Sequence, residues 1–307
     1  MALDTAKAVG ILRSLTHTFD RTLENAAQQV FYPRICNVVA SDGYDEEYGW
    51  LGSMPAVREW LGDRQFNQLR ASKFTLVNRH WEDSLAIEKN DLADDRVGIY
   101  RMAMPSLGER TAKHPDKLLF QLLEAADATL CHDGQFFFDT DHVWGSSGSQ
   151  DNDLTANITT VAAPTTTEFL AAWDAMTKAL LGFKDDNGEP LNQPTVGRLN
   201  DLLLIVPLVY RKIAYDSLEA AILSNNSNVI VDMPQIICST LLASADRMYV
   251  IDTSGFLKPF VFQARAPITR QMKGLDDAET KIVKFMTEAR YNIGLLAWWK
   301  AVQHKFT

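Results

Sequence analysis

The chain has 307 residues, a hydrophobic fraction of 46% and a charged fraction of 22%, which is the composition of an ordinary globular protein and excludes wholesale disorder. Its formal net charge of −9 argues against a protein whose main task is to hold nucleic acid. The sequence has no apolar run long enough to span a bilayer, no secretion signal at its start and only three scattered cysteines. We therefore expect synthesis in the cytoplasm, no membrane contact, no disulfide framework and one large or two modest domains.

The first 40 residues are predicted to form an arm that has no core of its own. Apolar residues recur at near-helical spacing from Ile11 to Leu23, which predicts an amphipathic helix. Pro33 discourages continuation of that helix. Such a segment needs another surface to lie on, and that surface can belong to its own chain or to a neighbour.

A short helix and two short polar strands are predicted next. Ser53 and Pro55 are typical of a helix start, and residues 75–79 and 84–88 alternate between polar and apolar side chains as strands do. We expect these two strands to form a hairpin. Because an isolated polar hairpin is marginally stable, it requires a partner surface, either on its own domain or on another subunit.

A long helical pattern is predicted from Asp94-Asp95, whose carboxylates favour a helix amino terminus, to about residue 128. Pro105 and Pro115 are expected to kink or restart this helix. The clearest helix lies at residues 165–181, because Thr165 and Glu168 have the spacing of a capping box.

The remaining elements complete an α+β unit. The apolar run at residues 202–206 predicts a buried strand, and Pro207 ends it. Further predicted elements are a helix at 211–224, strands at 229–231, 236–242, 248–251 and 257–265, and a final apolar stretch at 291–302. Basic residues outnumber acidic ones after Lys258, which predicts either a modest basic face or an ordinary solvated surface.

Chemically capable side chains are densest at residues 131–142, where histidines and aspartates flank a run of phenylalanines. Asp139, Asp141 and His142 are of the types that bind a metal ion, so a metal-dependent hydrolase is one interpretation. Their spacing matches no zinc pattern, and strand alternation separates the two aspartates from His142. Asp133-Gly134 is a turn signal, so the alternative interpretation is a structural turn followed by a strand anchored by phenylalanines.

Other catalytic signatures are absent from the sequence. It contains no Gly-x-Ser-x-Gly elbow, no Gly-x-Gly-x-x-Gly and no phosphate-binding Gly-Lys-Ser/Thr. The cysteines lack a recognisable histidine context. We therefore expect no catalytic residue and no cofactor.

An ordered set of short motifs resembles the major head subunit family of Mu-like phages and prophages. The motifs are Tyr48-Gly49-Trp50-Leu51-Gly52 with Pro55, Arg58, Trp60, Gly62 and Asp63; Asn78-Arg79-His80-Trp81-Glu82; Asp94-Asp95 with Gly98-Ile99-Tyr100; His114-Pro115-Asp116; Asp133-Gly134-Gln135; Phe137-Phe138-Asp139-Thr140-Asp141-His142; Asp252-Thr253-Ser254; Lys258-Pro259-Phe260 with Gln263 and Arg265; and Arg290, Asn292 and Gly294.

This resemblance implies the Hong Kong 97-type phage capsid fold, an α+β architecture. By analogy the chain divides into an N-terminal arm (1–44), the first part of the peripheral domain (45–72), the extended E-loop hairpin (73–92), the spine helix of the peripheral domain (93–130), the axial domain (131–250) and the closing strands of the peripheral domain (251–307).

The same resemblance implies a major capsid protein that assembles as hexamers and pentamers into an icosahedral shell around double-stranded DNA. Its expected partners are other copies of itself, a scaffolding protein, a portal and a decoration protein, with packaged DNA touched weakly on the inner face. The expected location is the virion, after assembly in the bacterial cytoplasm. The residues predicted to contact neighbouring subunits are Phe19, Phe31, Arg79, Trp81, Glu82 and Asp83, although Trp81 could equally pack within its own subunit. An encapsulin-like protein compartment is the alternative that shares this fold.

Overall fold

A computed structural model describes residues 5–51, 71–145, 147–185, 188–192, 201–218, 222–223, 226–227, 234–275, 277 and 279–307. The predicted helix near Ser53 and the predicted strand at 229–231 lie outside the described residues. Over the described ranges, no helix has both the length and the apolar character needed to cross a membrane.

The described part of the chain contains five α-helices and fifteen strands. The helices are α1 (Thr5–Ala27), α2 (Lys89–Ala93), α3 (Gly98–Glu124), α4 (Thr166–Gly182) and α5 (Arg211–Leu218). The strands are β1 (Cys36–Ala40), β2 (Asp45–Leu51), β3 (Ala71–Val77), β4 (Arg79–Glu88), β5 (His142–Val143), β6 (Ser149–Gln150), β7 (Asp153–Ala156), β8 (Leu202–Pro207), β9 (Ile222–Leu223), β10 (Asn226–Ser227), β11 (Gln235–Ser239), β12 (Arg247–Asp252), β13 (Phe260–Lys273), β14 (Ile282–Leu295) and β15 (Ala301–Phe306).

The first large sheet has the order β1-β13-β14-β4, and the helices α1 and α3 cover one of its faces. Along β14 alternate residues are buried, including Val283 and Phe285, so the strand turns one face toward the helices. Phe19 of α1 meets Phe285 edge-on, with ring centroids 5.0 Å apart. The predicted amphipathic arm helix therefore exists and packs on its own chain.

The second large sheet has the order β11-β8-β12-β15-β7. The strand β8, which lies between β11 and β12, is buried along its whole length, as the continuous apolar run predicted. The helix α4 packs on this sheet with Phe169, Trp173 and Met176 buried. Its capping box is present as predicted, because the Thr165 hydroxyl accepts from the Glu168 backbone N–H and the Glu168 carboxylate accepts from the Thr165 backbone N–H.

The predicted hairpin of residues 75–79 and 84–88 is wrong. Both segments are strands, but β3 pairs with β2 and β4 pairs with β14. The reason is that a half-buried strand takes the partner that best covers its apolar side, and alternation along one strand does not identify that partner. The two strands thus belong to different sheets.

Three predicted helix boundaries also differ from the structure. Asp94 ends α2 instead of starting the long helix, and Asp95 adopts a left-handed conformation (φ 58°) in the turn before α3. The helix α3 continues through Pro105 and Pro115 without a restart. The described part of α5 ends at Leu218, before the predicted boundary at residue 224.

Candidate functional site

Residues 131–142 form a junction between the two large sheets, and its central contact joins His142 to Asp133. Nδ1 of His142 lies 2.7 Å from Oδ2 of Asp133. The His142 side chain is fully buried and stacks on Trp298 with ring centroids 4.1 Å apart and planes only 5° from parallel. One carboxylate and one aromatic face therefore fix the imidazole in place.

Asn152 ties the same junction to the second sheet. Its Nδ2 donates to the Phe137 carbonyl oxygen at 2.8 Å and approaches those of Trp298 and Ala301 at 3.3 Å. Its Oδ1 accepts from the Asp139 backbone N–H at 2.9 Å. A single buried amide thus contacts backbone groups of two distant segments, which is how a buried irregular junction avoids unpaired polar atoms.

Burial and neighbouring side chains shift the pKa values of two titratable groups in the junction, Asp133 and His132. Burial of Asp133 opposes its ionisation, but the contact with His142, together with His132 and the Gln135 backbone N–H, outweighs that effect and lowers the pKa of the Asp133 carboxyl. Burial lowers the pKa of the neighbouring His132. Both shifts accompany structural contacts inside the junction.

The side chains predicted as metal ligands do not converge. The Asp139 carboxylate accepts from nearby backbone N–H groups, and Asp141 Oδ1 accepts from Gln135 Nε2 at 2.8 Å. His142 is directed at Asp133 instead. Across the ranges given above, no group of three or more His, Cys, Asp or Glu side chains is placed to hold a metal ion. The contacts of this cluster favour the structural turn over the hydrolase site.

A second candidate site is an open groove of about 610 Å³ between α3 and the strands β4 and β14, here called the spine groove. It is lined by Trp81, Glu82, Asp83, Glu109, Arg110, Thr111, Lys113, His114, Asp116, Lys117, Thr240, Leu241, Thr287, Glu288, Ala289 and Tyr291. Three of the six residues predicted to contact other subunits therefore lie together in it.

The aromatic side chains of the spine groove are held by their own chain. Trp81 Nε1 donates to the Tyr291 carbonyl oxygen at 2.9 Å, and the indole meets the His114 ring edge-on at 4.6 Å. His114 Nδ1 lies 2.7 Å from the Tyr291 hydroxyl. Burial lowers the pKa of His114 and raises the pKa of Tyr291. These contacts make the aromatic surface a rigid, preformed part of the groove.

The rim of the spine groove carries charges of both signs. Arg110 of α3 lies 4.0 Å from Asp83, and its side chain is 74% exposed. Lys113 pairs with Glu109 one helical turn away. Exposed ion pairs of this kind contribute little to the stability of their own subunit, so they remain free to exchange partners with another surface.

The three remaining predicted contact residues, Arg79, Phe31 and Phe19, do not line the spine groove. Arg79 is exposed at the start of β4. Phe31 is half-buried and stacks on Phe120 at 5.7 Å. Phe19 is only 1% exposed in the core beneath α1, so its side chain has no surface left for a neighbour. The contact predicted for Phe19 is therefore not available at the surface of the subunit, whereas the contact predicted for Phe31 stays a prediction.

Two important residues were overlooked as functional candidates in the sequence. His114 forms part of the spine groove, and the Asp116 carboxylate accepts the backbone N–H groups of Phe31 and Tyr32 at 2.8–3.0 Å. Asp116 therefore fixes the end of the arm to α3. The motif His114-Pro115-Asp116 was noted in the sequence as a possible helix restart and as part of the family resemblance, but no contact was predicted for His114 or Asp116.

Comparison with known proteins identifies the family. A model of the Mu-like prophage major head subunit gpT family matches residues 9–173. The Mu-like prophage FluMu major head subunit of Haemophilus influenzae is 39% identical over 116 residues, which are 38% of each chain. The major capsid protein of Escherichia phage Mu is 35% identical over 142 residues, which are 46% of each chain. The matched segment spans less than half the length of either curated relative.

Solved structures extend the similarity to most of the chain. The bacteriophage JBD30 procapsid protein has 23% identity and a TM-score of 0.54, covering 96% of this chain and 75% of that one. A JBD30 capsid decorated with minor capsid protein trimers has 24% identity and a TM-score of 0.57, covering 69% and 90%. The capsid of Cyanophage P-SCSP1u has 11% identity and a TM-score of 0.62, covering 90% and 88%. The predicted Hong Kong 97-type fold is thereby confirmed.

Proposed function

Since the chain belongs to the Mu-like prophage major head subunit gpT family, we propose that it is the major capsid protein of a tailed phage or Mu-like prophage. On this proposal it self-assembles as hexamers and pentamers into an icosahedral shell that encloses double-stranded DNA. The observation that carries the proposal is the capsid fold across 96% of the chain, combined with the family match over its first half. The family and fold are those of structural proteins, so we expect no catalytic activity.

The alternatives have less support. The family model and both curated relatives are phage or prophage head proteins, which favours a phage shell over a cargo compartment. The hydrolase interpretation required Asp139, Asp141 and His142 to share an ion, but each side chain is directed at a different group.

Within this proposal the spine groove receives a segment of a neighbouring copy. It has a rigid aromatic surface around Trp81 and Tyr291, which suits the buried centre of an interface, and a rim of exchangeable charges. Arg79 and Glu82 lie at the exposed side of β4, where they can meet charges of the incoming chain. Many contacts of this size sum to a stable shell while each one stays reversible during assembly.

Other partners follow from the same proposal. A scaffolding protein, a portal and a decoration protein are expected to join the shell in the host cytoplasm, before the protein takes its final place in the virion. The minor capsid protein trimers on the JBD30 capsid illustrate one such addition in a protein of this fold.

Assembly of the full-length chain tests the proposal. We expect capsomers or closed shells in sedimentation and negative-stain microscopy. A chain that stays a monodisperse monomer at high concentration, with its scaffolding protein present, would refute a capsid function.

Charge reversal tests the spine groove separately. Arg79→Glu and Glu82→Lys should leave the subunit folded, because both side chains are exposed, but should reduce shell yield at least tenfold. Lys212→Glu is the matched control, since Lys212 is an exposed residue of α5 that pairs with Asp216 one turn away. Equal shell yields from all three variants would show that the groove is not an interface.

A further inference from the structure

The loop between β12 and β13, residues 253–259, carries the most exposed large hydrophobic side chain of the described residues. Phe256 in this loop is 92% exposed. Single apolar side chains are common on protein surfaces, so exposure alone assigns no role to Phe256. What distinguishes it is a fixed backbone on both sides, and we call residues 253–259 the Phe256 loop.

Hydrogen bonds hold the Phe256 loop at both ends. The Thr253 backbone N–H and hydroxyl both donate to the Asp201 carbonyl oxygen, at 3.2 and 2.6 Å. Further along, Asn37 Nδ2 donates to the Phe256 carbonyl oxygen at 2.8 Å. The same amide accepts the Lys258 backbone N–H through its Oδ1, also at 2.8 Å. These bonds fix the backbone that presents the Phe256 ring to solvent.

The Phe256 loop and the spine groove lie at opposite edges of the first sheet. Asn37, which binds the loop, belongs to the edge strand β1, whereas Trp81, which lines the groove, belongs to the other edge strand β4. Three strand spacings separate these edges, which is about 14 Å. Along the strands, Asn37 is level with Gly294 and Trp81 with Ala289, so about 17 Å of β14 lies between the two levels. The Phe256 ring therefore cannot reach the groove of its own subunit.

The spine groove has room and apolar surface for an aromatic side chain. Its volume of about 610 Å³ exceeds that of one phenyl ring. Trp81, Ala289 and Leu241 contribute to its lining, and Leu241 is 43% exposed. Because the Trp81 indole is already fixed by its bond to the Tyr291 carbonyl, an incoming ring meets a surface that needs little reorganisation.

The charges of the two surfaces favour a second copy of this chain as the occupant. Residues 253–257 carry no charge, whereas the rim of the spine groove carries both signs. Two copies of a chain with net charge −9 repel each other overall, so contact is easiest where one surface is uncharged. The Phe256 loop can enter the groove without placing like charges opposite one another.

We propose that the Phe256 loop of one copy docks in the spine groove of the next copy, with the Phe256 ring as the buried anchor. This inference rests on the proposed capsid function and names the segment of the neighbouring copy that fills the groove. Because the loop and the groove are different surfaces of one chain, the contact is head-to-tail. Repeating such a contact around an axis closes a ring, as hexamers and pentamers require.

Substitution of Phe256 in the full-length chain tests the anchor. Phe256→Ala should match the wild type in circular dichroism and urea unfolding, because the side chain is exposed, but should form capsomers and shells with at least tenfold lower yield. Phe256→Leu keeps an apolar anchor and should assemble better than Phe256→Ala. Leu208→Ala is the matched control, since Leu208 is 60% exposed and does not line the groove.

Two results of the substitutions would overturn the proposal. Wild-type assembly by Phe256→Ala would show that the ring is not an anchor. An equal loss of assembly in Leu208→Ala would show that any exposed apolar side chain supports assembly, which removes the case for a specific docking site.

Photo-crosslinking identifies the surface that Phe256 touches. Replacement of Phe256 by p-benzoylphenylalanine keeps an aromatic ring and makes it photoreactive. Irradiation of assembled particles, followed by mass spectrometry, should give covalent dimers in which position 256 is joined to spine-groove residues such as Trp81 or Leu241 of another copy. Crosslinks to a different surface, or particles without crosslinked dimers, would contradict the docking.

The same measurements separate this proposal from the proposed function. Wild-type shells whose crosslinks from position 256 lie outside the spine groove refute the docking alone. Absence of capsomers and shells from the wild type refutes the capsid function, and the docking between neighbouring copies with it.

Discussion

The contact between α1 and α3 passes through Gly108, and substitution of this residue tests whether the arm is packed on its own subunit. A methyl group on Gly108 would lie 2.8 Å from the Phe19 carbonyl oxygen and 3.2 Å from the Leu23 backbone nitrogen. Both atoms belong to the backbone of α1, so no side-chain rotation can relieve the contact. The Gly108→Ala variant therefore forces α1 to move away from α3.

The change in the free energy of unfolding caused by Gly108→Ala is the sum of two opposing contributions. Alanine is favoured over glycine within a helix by about 1 kcal/mol, whereas overpacking a close contact costs about 1–3 kcal/mol. Gly10 of α1 has no atom within 4 Å of the same methyl position, so Gly10→Ala measures the helix-propensity term alone. The difference between the two variants then isolates the contact term, which we expect near 3 kcal/mol because two backbone atoms are involved.

Urea unfolding of the unassembled subunit, followed by circular dichroism, measures this difference. Gly10→Ala should raise the urea concentration at which half of the subunits are unfolded, and Gly108→Ala should lower it. In both variants the dependence of the free energy of unfolding on urea concentration should stay unchanged. Hydrogen exchange should also become faster along α1 in Gly108→Ala, since Phe19 is drawn away from Phe285. If both variants shift the midpoint upward by the same amount, the close packing of α1 on α3 is wrong.

Three further variants test other contacts. Asp116→Ala should destabilise the subunit by about 1–3 kcal/mol, because the Phe31 and Tyr32 N–H groups lose their acceptor, and hydrogen exchange at those two amides should show the loss. Thr165→Ala should cost about 1 kcal/mol in urea unfolding by removing the cap of α4, and a value near zero would contradict the capping box. Burial lowers the pKa of His304 from 6.5 to about 4, so the unfolded state binds more protons and stability should fall as the pH drops from 6.5 to 4, by at most about 3 kcal/mol. His304→Leu should flatten this part of the pH profile of unfolding, and an unchanged profile would exclude His304 as its source.

Elements with a local signature were predictable from the sequence, whereas contacts between distant segments were not. The capping box of α4 and the apolar run of β8 each lie within a few residues, and both were confirmed. Strand pairing depends on partners far away, as in the contact of Trp81 with the Tyr291 carbonyl, which are 210 residues apart. The hairpin prediction failed for that reason, because alternation gives a strand its two faces without identifying its neighbour.

The role of the junction at residues 131–142 could not be predicted from the sequence either, because it too depends on contacts between distant segments. Its composition suggested metal ligands, and composition alone cannot distinguish three side chains that converge from three that diverge. The decisive contacts are His142 with Trp298 and Asn152 with the Ala301 carbonyl, both of which join segments about 150 residues apart. The family resemblance supplied the fold, but the residue-level role of the junction required coordinates.

The packing of α1 changes how the arm should be tested in assembly. Removal of residues 1–44 would delete the apolar side chains Ala8, Leu12, Leu15 and Phe19, which cover part of the first sheet. The truncated subunit would therefore lose stability whether or not the arm reaches a neighbour. Loss of shells after truncation therefore has two possible causes. Exposed substitutions distinguish them: Glu82→Lys changes a surface of the spine groove that a neighbour can touch and leaves the core intact, while Gly108→Ala disturbs the arm and leaves that surface intact. A defect in shell yield from Glu82→Lys alone would locate the interface at the spine groove, and a defect from Gly108→Ala alone would locate it at the arm.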